Sequence, residues 1–158
     1  MAGNHYLDAA VYPVDAKARV SVPASFREIV VARSPERELI VGKSGVDDCL
    51  IAFDPQYSAK LRAEIDARFG IVNSKERAAA VRAAFGNKTP LRIDDGHRIT
   101  LTQGLRDSLD VTPGGMVFFV GADEYFEIWK PESFLAQADA DPELVAALQR
   151  GLALRGVA

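Results

Sequence analysis

Two short stretches of the chain, VDAKARVSVP at residues 14–23 and IDDGHRITLT at 93–102, each set an aspartate four positions before an arginine: Asp15 with Arg19, and Asp94 with Arg98. An arginine leaving a tight turn at the start of a strand suits phosphate or the edge of guanine, because its planar fork donates two parallel hydrogen bonds. A carboxylate four residues earlier, across the turn, can hold that fork in one orientation. Lys17, at the tip of the first turn, adds a point charge, and Arg27 and Arg106, one or two helical turns further on, extend a basic strip. The bland alternative is that each pair only closes its turn, since exposed ion pairs are common and contribute about 0–1 kcal/mol. Finding the pair at the same register twice, between loops that have diverged, gives recognition equal weight with that alternative.

Other chemistry has little support. Asp47 and Asp48, and Asp94 and Asp95, are adjacent carboxylates, whose side chains point apart in a strand or turn and so do not form an acid and base pair. Ser21 and Ser25 have no histidine that the sequence places beside them, and neither a nucleophile-elbow motif nor a glycine-rich phosphate loop occurs. His97 lies inside the second turn and reads as a polar contact. Tyr125 and Trp129 alternate with Phe126 and Ile128, the pattern of a core or subunit-interface strand. Cys49 is alone, and His5 and His97 are far apart, so neither a disulfide nor zinc-ligand spacing is available. No catalytic residue, metal or cofactor is expected.

The two turns belong to a longer repeat. Pairing residues 14–30 with 93–109 gives three identities (Asp15/Asp94, Arg19/Arg98, Arg27/Arg106) and conservative matches such as Val20/Ile99 and Val22/Leu101. The register continues without a gap to LIVG (39–42) against FFVG (118–121); after a three-residue shortening CLIAFDP (49–55) faces YFEIWKP (125–131). Each copy reads as a strand, the turn, a second strand that puts Arg19 and Ser21 on one side and Val20 and Val22 on the other, a helix of one or two turns, and a hairpin. Phe26, Ile29 and Val30, or Leu105 and Leu109, form the inner face of that helix. Between the copies, one helix starts at Pro55 with Tyr57, Leu61 and Ile65 on one face; a second has Asn73 as N-cap and Glu76 three residues on. Near the end, Asp141 caps a helix with Pro142 at its first position.

With 158 residues, 48% of them hydrophobic and 26% charged, the chain suits one globular domain made of two halves. The fold expected is α+β, a small barrel or sandwich of short strands with helices at the rim and the halves interdigitated. Net charge is −3, with 11 basic and 11 acidic residues up to position 79 but 8 and 11 beyond it, so nucleic acid would have to meet a local basic patch. No apolar run reaches the roughly 20 residues a bilayer requires, and MAGNHYLDAAVYP does not read as a signal peptide, which predicts a cytoplasmic protein with no membrane partner.

VDAKARVSVPASFRE, IDDGHRITLTQGLRDSL and VFFVGADEYFEIWKPESF closely resemble the MraZ proteins over about residues 6–135. These are bacterial DNA-binding regulators with two swapped-hairpin, AbrB-like half-domains in one chain. The resemblance implies a ring-shaped homo-oligomer, associated with the nucleoid, that represses the division and cell wall gene cluster. Its turns would meet short direct repeats in double-stranded DNA upstream of its own operon, and the DNA-facing residues would be Asp15, Lys17, Arg19, Asp94 and Arg98. The segments expected are a first AbrB-like half at 1–54, connecting helices at 55–88, a second half at 89–135 and a C-terminal helix at 136–158. The family's turn carries glycine where this chain has Ala18 and His97, so the first turn either takes another shape or carries strain. Leu101 and Thr102 replace an Ile-Pro pair, which should relax the start of the following helix. The alternative function is an oligomeric protein-interaction scaffold of the same fold whose DNA binding is weakened or lost.

Overall fold

The structure, a computed structural model, describes residues 5–157; positions 1–4 and 158, at the ends of the first and last expected segments, lie outside the described residues. The first copy supplies β1 (Ala9–Pro13), β2 (Arg19–Ser21), α1 (Ala24–Arg33), β3 (Glu38–Lys43) and β4 (Leu50–Phe53). Two helices follow, α2 (Pro55–Phe69) and α3 (Lys75–Val81), the latter running into a π-helical turn at Arg82–Gly86. The second copy supplies β5 (Lys88–Arg92), β6 (Arg98–Thr100), α4 (Gln103–Leu109), β7 (Met116–Gly121) and β8 (Phe126–Trp129). The last helices are α5 (Pro131–Leu135) and α6 (Pro142–Leu154). At ten residues α1 is longer than the one or two turns expected.

The strands form a six-stranded antiparallel sheet in the order β1-β7-β8-β4-β3-β5 and a two-stranded ribbon, β2-β6. The copies are exchanged across the sheet: β1 of the first pairs with the β7-β8 hairpin of the second, and β5 of the second pairs with the β3-β4 hairpin of the first. At the middle of the ribbon Val20 faces Ile99, its own repeat equivalent, and at the middle of the sheet Ile51 of β4 faces its equivalent Glu127 of β8. A residue can face its own counterpart across an antiparallel pair only on a twofold axis. One pseudo-twofold therefore runs through both pairs and places the two Asp-x-x-x-Arg turns on either side of it.

The gapless match of LIVG with FFVG is off by one. Ile40 pairs with Phe53 and Phe118 with Trp129, and since Phe53 and Trp129 are equivalents, so are Ile40 and Phe118. Leu39 and Val41 then correspond to Val117 and Phe119, all four of them in the main core, whereas Phe118 packs on the opposite sheet face. A one-residue slip exchanges the two faces of a strand, so burial fixes the register. The three-residue shortening is thus split, one residue lost ahead of the hairpin and two within it.

The main core draws on both copies at once, with Val14, Val20, Phe26 and Leu39 packed among Ile93, Ile99, Phe119 and Phe126. Phe26 lies among Tyr6, Phe119 and Phe126, its ring centroid 4.7 Å from that of Phe126. A second cluster on the outer sheet face joins Val11, Phe118, Trp129 and Phe134 to Leu148 of α6.

The helix starts follow their caps. Asp54 caps α2, accepting from the N–H groups of Gln56 and Tyr57, with Pro55 at the first helical position; Asp141 and Pro142 do the same for α6. The α3 cap is Ser74 rather than Asn73, its hydroxyl accepting from Arg77 N–H. Thr102 does not loosen the start of α4 but caps it, accepting from Leu105 N–H at 3.4 Å. The pair α2–α3 buries little, α2 only Ile65 and α3 no residue, and it meets the body near the start of α2, where Tyr57 packs on Tyr125 and Lys60 pairs with Glu124. It is closed on itself by Arg77, which donates to Asp66 at 2.6 Å and to the Gly70 carbonyl at 2.8 Å. Ile71 and Val72 at its tip are about four-fifths exposed.

Asp54 is also the most deeply buried charge described. Its second oxygen accepts from the Tyr6 hydroxyl at 2.8 Å and from Arg33, at the end of α1, at 3.2 Å. The second copy joins the corresponding elements with the charges reversed: Lys130, the equivalent of Asp54, donates to Asp110 at the end of α4 at 2.9 Å.

Candidate nucleic-acid interface

The two turns have the same backbone. Asp15 N–H donates to the Arg19 carbonyl at 2.8 Å and Ala18 N–H to the Asp15 carbonyl at 3.0 Å; Asp94 with Arg98, and His97 with Asp94, repeat these bonds at 2.9 and 3.0 Å. In each turn one carboxylate oxygen caps two backbone N–H groups. Asp15 accepts from Lys17 and Arg19 at 2.8 and 2.9 Å, and Asp94 from Gly96 and Arg98 at 2.8 and 3.0 Å. The aspartate at the first position thus builds the turn as well as facing its arginine.

These bonds hold both carboxyls below their ordinary value of 3.8. For Asp15 the Arg19 N–H is the largest cause, followed by the Arg19 side chain and the Lys17 N–H. For Asp94 the Arg98 N–H leads, and the charges of Arg98 and of Arg19, across the pseudo-twofold, add to it. At neutral pH both are anions, and the two turns are near enough to feel each other.

At the two positions where the resemblance led glycine to be expected, Ala18 and His97 adopt left-handed conformations, with φ of 64° and 66°. The first turn therefore keeps its shape and carries strain. The conformation is locked from the other copy: Leu101 N–H donates to the Ala18 carbonyl at 2.8 Å and Val22 N–H to the His97 carbonyl at 3.0 Å, extending the ribbon at both ends. A side chain in this region costs about 1–2 kcal/mol, and glycine loses part of that gain to its own flexibility. His97 is exposed, so H97G gives up no buried surface and is expected to raise stability by about 0.5–1 kcal/mol, read as a higher urea midpoint. A18G gains less, because the Ala18 methyl is buried. An unchanged midpoint for H97G would show an unstrained turn.

On the ribbon, Arg19 faces Thr100 and Ser21 faces Arg98, flanking the buried Val20–Ile99 pair. Arg19 and Arg98 thus share the polar face and stand diagonally, about 7–8 Å apart. Their side chains are 28% and 33% exposed, so each arginine is partly packed and partly open to a ligand. They are not held alike. Arg19 Nε donates to Asp15 at 2.9 Å, whereas Arg98 Nε lies 3.4 Å from Asp94, buried and without a hydrogen bond. Lys17 is exposed at the first tip.

Arg27 and Arg106 do not reach out as a strip. Each folds back, to the carbonyls of Val22 at 3.2 Å and Leu101 at 3.1 Å, and braces the loop between the ribbon and its helix. Sequence reasoning overlooked Arg37, which pairs with the exposed Asp95 at 3.1 Å, and the close approach of the Arg98 guanidinium to Gly96. It also overlooked Asp54, signalled only by the Asp-Pro step at 54–55. Trp129 is 2% exposed and belongs to the core, donating its Nε1 proton to Glu127 at 3.0 Å. Among the described residues no cluster of three or more His, Cys, Asp or Glu could hold a metal ion, and no helix is long and apolar enough to cross a membrane.

No protein-family model matches the chain. It is 34% identical over 149 residues to the transcriptional regulator MraZ of Azorhizobium caulinodans, covering 94% of this chain and 92% of that one. It is 35% identical over 147 residues to that of Beijerinckia indica subsp. indica, covering 92% and 85%. With that of Methylocella silvestris it shares 34% identity over 157 residues, covering 98% and 89%. Relatives of 34–35% identity that cover 92–98% of this chain establish that it belongs to the MraZ family.

Proposed function

We propose that the protein is a DNA-binding transcriptional regulator that represses the division and cell wall gene cluster, binding short direct repeats upstream of its own operon through the Asp15–Arg19 and Asp94–Arg98 turns. The observation that carries this reading is the ribbon: two partly open arginines side by side on one polar face, beside the exposed Lys17. A two-stranded ribbon fits the major groove of B-DNA, and the paired aspartates restrict how each guanidinium can turn. The ribbon strands lie beside β1 and β5 and would close the sheet into a small barrel.

A subunit of net charge −3 binds DNA weakly by itself. Several copies in a ring present several such ribbons on one edge, and linked sites bind far more tightly than single ones. The tip of the α2–α3 hairpin, with Ile71 and Val72 exposed, is a natural contact between neighbours in such a ring. The protein would then work in the cytoplasm, associated with the nucleoid.

The test is a gel-shift titration of DNA from immediately upstream of the protein's own gene. R19A is expected to bind about tenfold or more weakly than wild type, with unchanged melting. Wild-type affinity in R19A, or a complex that does not weaken as salt rises, would overturn the reading; no complex even at low salt would leave the scaffold.

A further inference from the structure

We infer that the two turns read different parts of DNA, the Asp15–Arg19 turn the phosphate backbone and the Asp94–Arg98 turn a base edge, and that Gly96 sets this difference by seating the Arg98 guanidinium. The inference rests on the proposed DNA-binding function and adds a division of labour to it.

Position 96 is the repeat equivalent of position 17, so a lysine in one copy stands where glycine stands in the other. A β-carbon at Gly96 would meet Arg98 Nη2 at 2.8 Å, Nε at 2.9 Å and Cζ at 3.0 Å. The Nε–Nη2 edge of the guanidinium therefore fills the space that a side chain at position 96 would take. In the first copy Lys17 carries a β-carbon, and Arg19 instead bonds Asp15 through Nε at 2.9 Å. Arg19 is hydrogen-bonded to its carboxylate, whereas Arg98 keeps only an ion pair with Asp94 at 3.4 Å and rests on the backbone at Gly96.

The charges separate the two targets. Residues 15–19 carry a net charge of +1; residues 94–98 carry −1 with His97 neutral, and Arg37 on Asp95 only brings that to zero. Asp95 is 99% exposed and would stand close to any phosphate brought to the second turn. Phosphate follows net positive charge, so it goes to the first turn. The guanine edge presents neutral acceptors and depends on the orientation of the arginine fork, which the seat on Gly96 supplies.

The experiment measures binding of the full-length protein, by fluorescence anisotropy, to a duplex from upstream of its own gene and to a scrambled duplex of equal length. Both are titrated from about 50 to about 200 mM salt. R19A and K17A are expected to weaken binding to both duplexes by the same factor and each to lower the salt slope by about one. R98A should leave the slope unchanged and reduce discrimination between the duplexes by about fivefold to a hundredfold. G96A keeps every charge and a backbone conformation open to alanine, so it should melt with the wild type, keep the slope and lose discrimination. If R98A lowers the slope as R19A does, or if folded G96A discriminates as well as wild type, the division of labour is wrong and the regulator stands. If the wild type binds neither duplex at the lowest salt, both fall.

Discussion

Replacing Asp54 with alanine is expected to lower the unfolding free energy by about 3–5 kcal/mol, with a melting point lower by roughly 10 °C. The side chain is fully buried and caps α2 through two N–H groups. It also accepts from Tyr6 and Arg33. Losing an N-cap costs about 0.5–2 kcal/mol. The larger part is what remains behind: a buried hydroxyl and a largely buried guanidinium that have lost an anion. Burial foremost, and then the Asp54 charge, pushes the Tyr6 hydroxyl up from its usual value, so it stays a donor throughout the working pH range. D54N retains one oxygen for the cap but puts an NH2 in place of the other, from which the Tyr6 hydroxyl can accept and Arg33 cannot, so it should fall between wild type and D54A in urea unfolding. If D54A unfolds within 1 kcal/mol of wild type, the tether between α1, α2 and the N-terminal segment is not what holds the first half together.

Much of this arrangement could be read from the sequence because side-chain chemistry dictated it. The Asp-x-x-x-Arg turns, the alternation of Val20 and Val22 against Arg19 and Ser21, and the cap at Asp141 all rest on local rules that the fold obeys. The register of β3 against β7 did not yield to the same reasoning. Leu39, Ile40, Phe118 and Phe119 are all apolar, so residue type cannot tell which of them faces the main core, and the two glycines at 42 and 121 reward the wrong alignment. Only the pairing to β4 and β8 decides it. The Arg98 seat was hidden for a related reason. Sequence spacing shows that an arginine can reach its aspartate, and both turns satisfy that equally. Which way a guanidinium folds depends on a β-carbon being present at position 17 and absent at position 96. Arg27 and Arg106 were misjudged because an arginine on a short helix has a free carbonyl within reach in the preceding loop, and takes it.

The exchange of strands between the copies has a consequence for function that no single turn reveals. The ribbon joins the turns through three facing pairs, and the Val20–Ile99 contact at its centre lies on the pseudo-twofold, with 1% and 0% exposure. Truncating Ile99 to alanine opens a cavity under both turns at once and is expected to cost about 2–5 kcal/mol. Because each left-handed residue is held by a bond from the opposite strand, from Leu101 to Ala18 and from Val22 to His97, loosening the pair releases both turns together. I99A at a temperature where it remains folded should therefore lose more DNA affinity than R98A, although it removes no contact to DNA. Faster hydrogen exchange should appear at Val22 N–H and Leu101 N–H alike. A V20A/I99A double variant should cost less than the sum of the two single changes, by at least about 0.5 kcal/mol, since both open the same space. If instead I99A disturbs only the second turn, with Val22 N–H exchanging as in wild type, the two turns are independent. The strained left-handed residues would then need support from within their own copy.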